Sequence, residues 1–369
     1  MKRILLYLLA MTPFSAFAQL NGSGYYRVQN VVTQRYISIV DDRASMNGTD
    51  PDLRALHMLK PFEDSVIYNP ASICYVDIID ADNCNLIGQG LDLHAETSHY
   101  LSFHQRPDGT YWLYGKVSVA TRYLIDVSYE EFGPQAIKYF PSVGDTSREW
   151  LIYPVDQDPS RCFGVKPDVT ATDGTNWATM YAGFGFVPSA TTTKAYTVCK
   201  VDNTRGIAVI KEISGDVPAQ TPVLFLCAST APESNKLTLL SSTSNDVEGT
   251  NYLQGNYYCN DVPESSGHRN VREYNGNYMR MLGLDADGKP AFVKANISYI
   301  PANKCYLVVS SSAPDVLKIM TEEEYVTGIE EITAPEKNAE KVIYDLQGRR
   351  IQAPAKGLYI VNGKKMIIR

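Results

Sequence analysis

Three histidines, His94, His99 and His104, follow one another at five-residue spacing, and metal binding is the chemistry such a set could do. On an extended strand this spacing puts His94 and His104 on one face and His99 on the other, so the three imidazoles do not converge on one ion. Helical spacing, which would bring two imidazoles together, is not supported by their neighbours, and no cysteine or carboxylate cluster completes a ligand set. No metal ligand and no cofactor are assigned. A nucleophile needs a base within reach and a partner to orient it. The serines and cysteines lie instead in strand-like or loop segments without a Gly-x-Ser-x-Gly elbow. Gly183-Phe184-Gly185-Phe186 lacks the spacing of a phosphate-cradling loop and reads as a close-packed strand. Glu130 and Glu131 could in principle act as acid and base, but adjacent side chains on a strand point to opposite faces. No catalytic residue is assigned, and the expectation is a protein that is not an enzyme.

Sugar binding asks for less: a ring face over the apolar C–H patch and Asp, Asn or Gln on the hydroxyls. Tyr111, Trp112 and Tyr114, with Asp108 and Asp126 nearby, are the best local group and form the candidate ligand-binding set. Strand alternation puts Tyr111 and Leu113 on one face and Trp112 and Tyr114 on the other, so either pair can belong to a core.

The elements that must position these groups are strands. Short alternating or apolar runs rich in Val, Ile, Thr and Tyr, cut by Gly, Pro, Asn and Asp, predict an all-β chain. The 25 tyrosines fit the half-buried surface of a sheet. One helical interval is expected, Asp52 to Lys60, closed by Pro61. A chain of 369 residues, 44% hydrophobic and 20% charged, needs more than one core. Its 34 basic and 41 acidic residues leave a net charge of −7, without the electrostatic pull that nucleic acid or anionic lipid partners require.

Lys2-Arg3, the apolar run Ile4 to Met11 and the Ala16-Phe17-Ala18 triplet form the pattern of a secretory signal over residues 1–18, with Gln19 first after cleavage. The run is shorter than the roughly 20 residues that cross a bilayer, so no membrane span is expected. The seven cysteines (Cys74, Cys84, Cys162, Cys199, Cys227, Cys259, Cys305) cannot all pair within one chain. Cys199, Cys227 and Cys305 sit in apolar strand-like runs and read as buried thiols. An Asp80 to Asn83 turn would pair Ile79 with Cys84, so no Cys74–Cys84 bridge is assigned.

Residues 19–156 open with Gly24-Tyr25-Tyr26-Arg27-Val28-Gln29-Asn30 and Gln34-Arg35-Tyr36-Ile37-Ser38-Ile39. A related pair returns at Tyr111-Trp112-Leu113-Tyr114-Gly115 and Arg122-Tyr123-Leu124-Ile125-Asp126, before Arg148-Glu149-Trp150. In these segments the chain resembles ricin-type β-trefoil domains, whose repeated Tyr, Tyr-Leu/Ile and Gln-x-Trp elements build three lobes. The resemblance implies a β-trefoil-like fold and sugar binding through an aspartate, a stacking aromatic and nearby amides. Of the Gln-x-Trp element only Trp150 is kept, as a lobe-core residue.

Residues 160–320 carry an internal repeat. Val217-Pro218-Ala219-Gln220-Thr221-Pro222-Val223-Leu224 aligns with Ile300-Pro301-Ala302-Asn303-Lys304-Cys305-Tyr306-Leu307 at an offset of 83 residues, each copy a proline-bounded loop entering an apolar strand. A β-sandwich of two related halves is expected. Its Ile-Pro-Ala-Asn loop resembles a domain found downstream of variable modules in exported Bacteroidetes proteins. Residues 321–340 hold seven acidic residues and one lysine and read as a solvated linker. In residues 341–369, an Asn362-Gly363 turn between apolar runs predicts a hairpin within a three-stranded tail. Its Tyr344-Asp345-Leu346-Gln347-Gly348-Arg349-Arg350 and Lys356-Gly357-Leu358-Tyr359-Ile360-Val361-Asn362-Gly363-Lys364-Lys365 segments resemble type IX secretion sorting domains of Bacteroidetes. That resemblance implies the secretion machinery as a partner. Asp64-Ser65-Val66 resembles the O-glycosylation acceptor of such exported proteins, with Ser65 as the acceptor.

The expectation is a non-enzymatic binding protein, secreted or on the cell surface, or periplasmic if the tail does not sort. Its N-terminal domain would contact carbohydrate or a cell-surface protein. The alternatives are a structural or assembly component of the envelope and a polysaccharide hydrolase.

Overall fold

The computed structural model describes residues 20–39, 55–56, 66–93, 101–117, 120–129, 133–141, 148–189, 193–243, 247, 249–261, 269–327, 343–345, 349–351, 356–361 and 364–368. The signal-like residues 1–18, Ser65, His94, His99, Glu130 and Glu131 lie outside them. The fold is all-β.

Six N-terminal strands close into a ring. Gly24–Asn30 pairs antiparallel with Cys74–Ile78, and the ladder continues through Asn83–Gly88, Leu101–Gln105 and Tyr111–Val117 to Glu149–Pro154. Glu149–Pro154 returns to Gly24–Asn30, which leaves the ring no open edge. Strand alternation fills it with Val28, Val76, Leu86, Leu101, Tyr111 and Trp150. Outside the ring, Ala120–Tyr129 forms a hairpin with Gly133–Pro141 and pairs with Tyr111–Val117.

Two local expectations are corrected here. The described part of the helix expected over Asp52 to Lys60, Ala55–Leu56, is a strand paired with Gly133–Pro141; sheet pairing overrides the helical propensity of Ala and Leu. Cys84 pairs with Ile78 and not with Ile79. The amides of Ile79 and Asp80 both donate to the Asn83 carbonyl, and Asp80 Oδ1 accepts from Asp82 N at 2.9 Å and Asn83 Nδ2 at 2.8 Å, so the turn absorbs Ile79.

The second part contains a ten-stranded sheet made of two four-stranded halves with the same connectivity. In the first half the order is Asn176–Met180, Val223–Cys227, Lys194–Asp202, Ile207–Glu212. In the second it is Leu253–Asn256, Lys304–Val308, Met279–Leu284, Pro290–Val293. Val316–Thr321 joins the halves, parallel to Ile207–Glu212 and antiparallel to Pro290–Val293. The repeat extends to the backbone: Gln220 and Asn303, at matching positions, both take the left-handed region at φ 63° and 57°. A three-stranded sheet of Phe163–Gly164, Lys236–Leu240 and Gly185–Pro188 shares a core with one face of the first half. The second half shares the core on the other face, giving a layered, sandwich-like arrangement. Phe184 and Phe186 are core residues, and a Cβ on Gly185 would sit 2.6 Å from Thr243 Cγ2, so Gly-Phe-Gly-Phe is a packing motif.

The two parts are in close contact. Buried Arg27 donates from its guanidinium to the carbonyls of Arg161 at 2.9 Å and Cys162 at 3.1 Å. Ile73 belongs to the core of the second part, and a Cβ on Gly183 would meet Gln89 Cα at 2.8 Å. Cys74, Cys84, Cys162, Cys227 and Cys305 are buried thiols.

The start of the acidic segment, Glu322–Thr327, is a short helix with its glutamates exposed, and residues 328–340 lie outside the described residues. Thr321 N donates to Glu324 Oε2 at 2.7 Å while Glu324 N donates to Thr321 Oγ1 at 3.3 Å, a capping box. Tyr325 OH then donates to Asp202 at 3.0 Å, with Lys200 Nζ 4.4 Å from its ring centroid. The tail has four strands where three were expected: Arg350–Ile351, Ile343–Tyr344, Gly357–Val361 and Lys364–Ile368. Asp345 accepts from Arg349 N at 2.8 Å, which turns the chain back and adds Arg350–Ile351 to the sheet.

Candidate functional site

Tyr111–Val117 runs between Leu101–Gln105 and Ala120–Tyr129, so its alternate side chains meet those of both neighbours. The inward series holds Tyr111, 1% exposed, whose hydroxyl accepts from Leu20 N at 3.0 Å. The outward series brings Trp112 opposite His104 and Glu149, and Tyr114 opposite Ser102 and Tyr123. The ring centroids of His104 and Tyr123 lie 5.9 and 5.8 Å from that of Trp112, and Tyr114 lies 5.6 Å from Tyr123. The result is an aromatic patch on the outside of the ring of strands.

Two guanidinium groups cover the indole. Arg148 Cζ stands 4.0 Å from the Trp112 ring centroid and 5.0 Å from that of Tyr123, and Arg106 Cζ stands 5.0 Å from Trp112. Arg106 is paired with Glu149 and lies 3.7 Å from Asp108. Arg148 has no carboxylate partner among the described residues. Trp112 Nε1 is buried without a hydrogen-bond partner among them, an arrangement with a real cost.

The five residues of the candidate set therefore divide. Trp112 and Tyr114 face outward together, with burial raising the Tyr114 pKa above its ordinary value. Asp108 is at the rim, where Thr110 Oγ1 and Thr110 N donate to it at 2.7 and 3.0 Å and hold its carboxyl below the usual range. Tyr111 is in the core. Asp126 is 3% exposed and is occupied by Arg35, whose Nε donates at 2.8 Å, and by Thr33. A ligand aspartate needs open lone pairs, and Asp126 presents none to the outside. His104, Arg106, Tyr123 and Arg148 complete the patch. Their signal in the sequence is strand parity across the turns around Trp112, which depends on register. His104 was considered there only as a metal ligand. No cluster of three or more possible metal ligands occurs among the described residues.

The chain matches no family model and no curated protein at a significant level. Among solved structures it is similar to a mosquitocidal holotoxin at 9% identity and a TM-score of 0.27, over 78% of this chain and 34% of that one. The chain thus spans about a third of that protein's length, and the similarity is weak. No helix among the described residues is long and apolar enough to cross a membrane.

Proposed function

We propose that this is an exported, non-enzymatic binding protein whose N-terminal domain is a ricin-type β-trefoil that contacts glycan or a cell-surface protein through the Trp112 patch. The strand pairing is the observation that carries the reading. Six strands in the order given above close on themselves, with the hairpin of Ala120–Tyr129 and Gly133–Pro141 outside the ring, which supports a trefoil-like reading. The outer patch brings together kinds of group that saccharide recognition uses: aromatic rings, a rim carboxylate and guanidinium donors. Residues 1–18 act as the export signal, and the tail beginning at 341 acts as a sorting element of Bacteroidetes type.

The test is a glycan array and polysaccharide pull-down with the full chain after signal removal, beside Trp112→Ala. The whole chain is used because Ile73 of the N-terminal part sits in the core of the second. Binding that is lost in the variant supports a lectin-like site. Absence of binding by the folded protein across glycan and host-protein panels refutes it.

A further inference from the structure

Beside the close contact made by Arg27 and Gly183, the two parts of the molecule separate around a cleft of about 500 Å³. This is within the size range of small-ligand sites, which occur preferentially at such junctions. One wall comes from the N-terminal part, with Tyr68 and Ser38. The other comes from the second part, with Lys166, Asp168 and Lys304; Pro167 and Ala302 contribute apolar surface, and the buried Phe163 and Met180 border it.

The charges on the second wall do not cancel. Lys304 Nζ donates to Asp168 Oδ1 at 2.5 Å, and Asp168 Oδ2 accepts from Thr179 N at 2.8 Å, so this pair is fixed and mutually neutralised. Lys166 Nζ has no carboxylate partner among the described residues. It lies 4.5 Å from the centroid of the Tyr68 ring and 3.5 Å from the Tyr68 hydroxyl, reaching across the cleft to the other part. One net positive charge remains. Ser38, 2% exposed, also borders the cleft.

We infer that this cleft binds a small carboxylate with an apolar body, its acid group on Lys166 and its body against Tyr68, Pro167 and Ala302. The cleft is independent of the Trp112 patch. A neutral ligand would make no ion pair with Lys166.

The experiment titrates the full chain with phenylacetate and octanoate, each beside its amide, by calorimetry and by the spectrum of [13C-methyl]methionine-labelled protein. A ligand of about ten heavy atoms is expected to bind with about millimolar affinity. Both acids should shift the Met180 methyl signal. Each amide should bind about tenfold or more weakly, and Lys166→Gln should reduce the acids to the level of their amides. Lys166 is exposed, so that variant keeps the melting temperature of the parent. Equal binding of acid and amide, acid binding unaffected by Lys166→Gln, or no Met180 shift with either acid overturns the inference.

Discussion

Two tryptophans of the N-terminal domain should answer the same substitution in opposite ways. Trp150 is fully buried, and its Nε1 donates to the Leu124 carbonyl at 3.0 Å, tying the ring of strands to the outer hairpin. Trp150→Phe leaves that carbonyl without its donor, at about 1–3 kcal/mol. It also opens a small cavity worth roughly 1 kcal/mol. The expected loss is about 2–4 kcal/mol, or about 4–16 °C in Tm for a unit of this size. Trp112→Phe instead removes an N–H that already lacks a partner. That relief offsets the weaker contact with Arg148, about 0.5–1 kcal/mol for a cation over a partly exposed ring, so stability should stay within about 1 kcal/mol. Thermal unfolding followed by far-UV circular dichroism reads both. Equal destabilisation by the two variants would make Trp112 a core residue and refute the site; an unchanged Tm in Trp150→Phe would refute the role given to its hydrogen bond.

Three further outcomes are expected. Asn303→Val places a β-branched residue at φ 57° and removes the 2.9 Å bond from Asn303 Nδ2 to the Tyr181 carbonyl, so urea denaturation should show a loss of about 2–4 kcal/mol, with Gln220→Gly near neutral. Gly183→Ala drives a methyl group against the Gln89–Gly90 backbone, at about 1–3 kcal/mol, and should raise amide exchange in both Asn83–Gly88 and Gly185–Pro188; unchanged exchange would mean the contact is not closed. Burial pushes the Cys74, Cys84, Cys227 and Cys305 thiols up to about 12, so they stay protonated in the folded protein at pH values where the unfolded chain ionises them. Their contribution is therefore complete below the unfolded value near 9 and is lost as pH rises toward 12; the urea midpoint should fall between about pH 8 and about pH 10, and a flat profile would refute the assignment.

What could be read from the sequence was local or periodic. Alternation at Tyr111-Trp112-Leu113-Tyr114 separates an inner from an outer pair, and the structure decides which is which because Tyr111 opposes Trp150 in the closing ladder. The burial of Asp126 has a different origin. Its partner Arg35 is 91 residues away, so an aspartate that looks available in sequence is already neutralised in the fold. Ala55–Leu56 became a strand through pairing with residues 137 and 138, again a distant cause. The helix at Glu322–Thr327 has a local signal: Thr321-Glu322-Glu323-Glu324 is a capping-box sequence within a run of acidic residues.

The repeat shows how the same local code serves two purposes. Phe225 and Val308 are 83 positions apart and stand on the same face of matching strands, yet Phe225 is fully buried while Val308 is 47% exposed. The difference lies in what covers each half. The three-stranded sheet and Ile73 of the N-terminal part share the core of the first half. Only a small cluster around Met281, Ile300 and Tyr306 forms on the matching face of the second. The two left-handed corners diverge in the same sense. Gln220 abuts the N-terminal part, where a Cβ on Gly90 would lie 3.1 Å from Gln220 Nε2, whereas Asn303 and Lys304 face the open cleft. One copy of the corner closes the junction between the parts, and the other leaves the space in which a ligand fits.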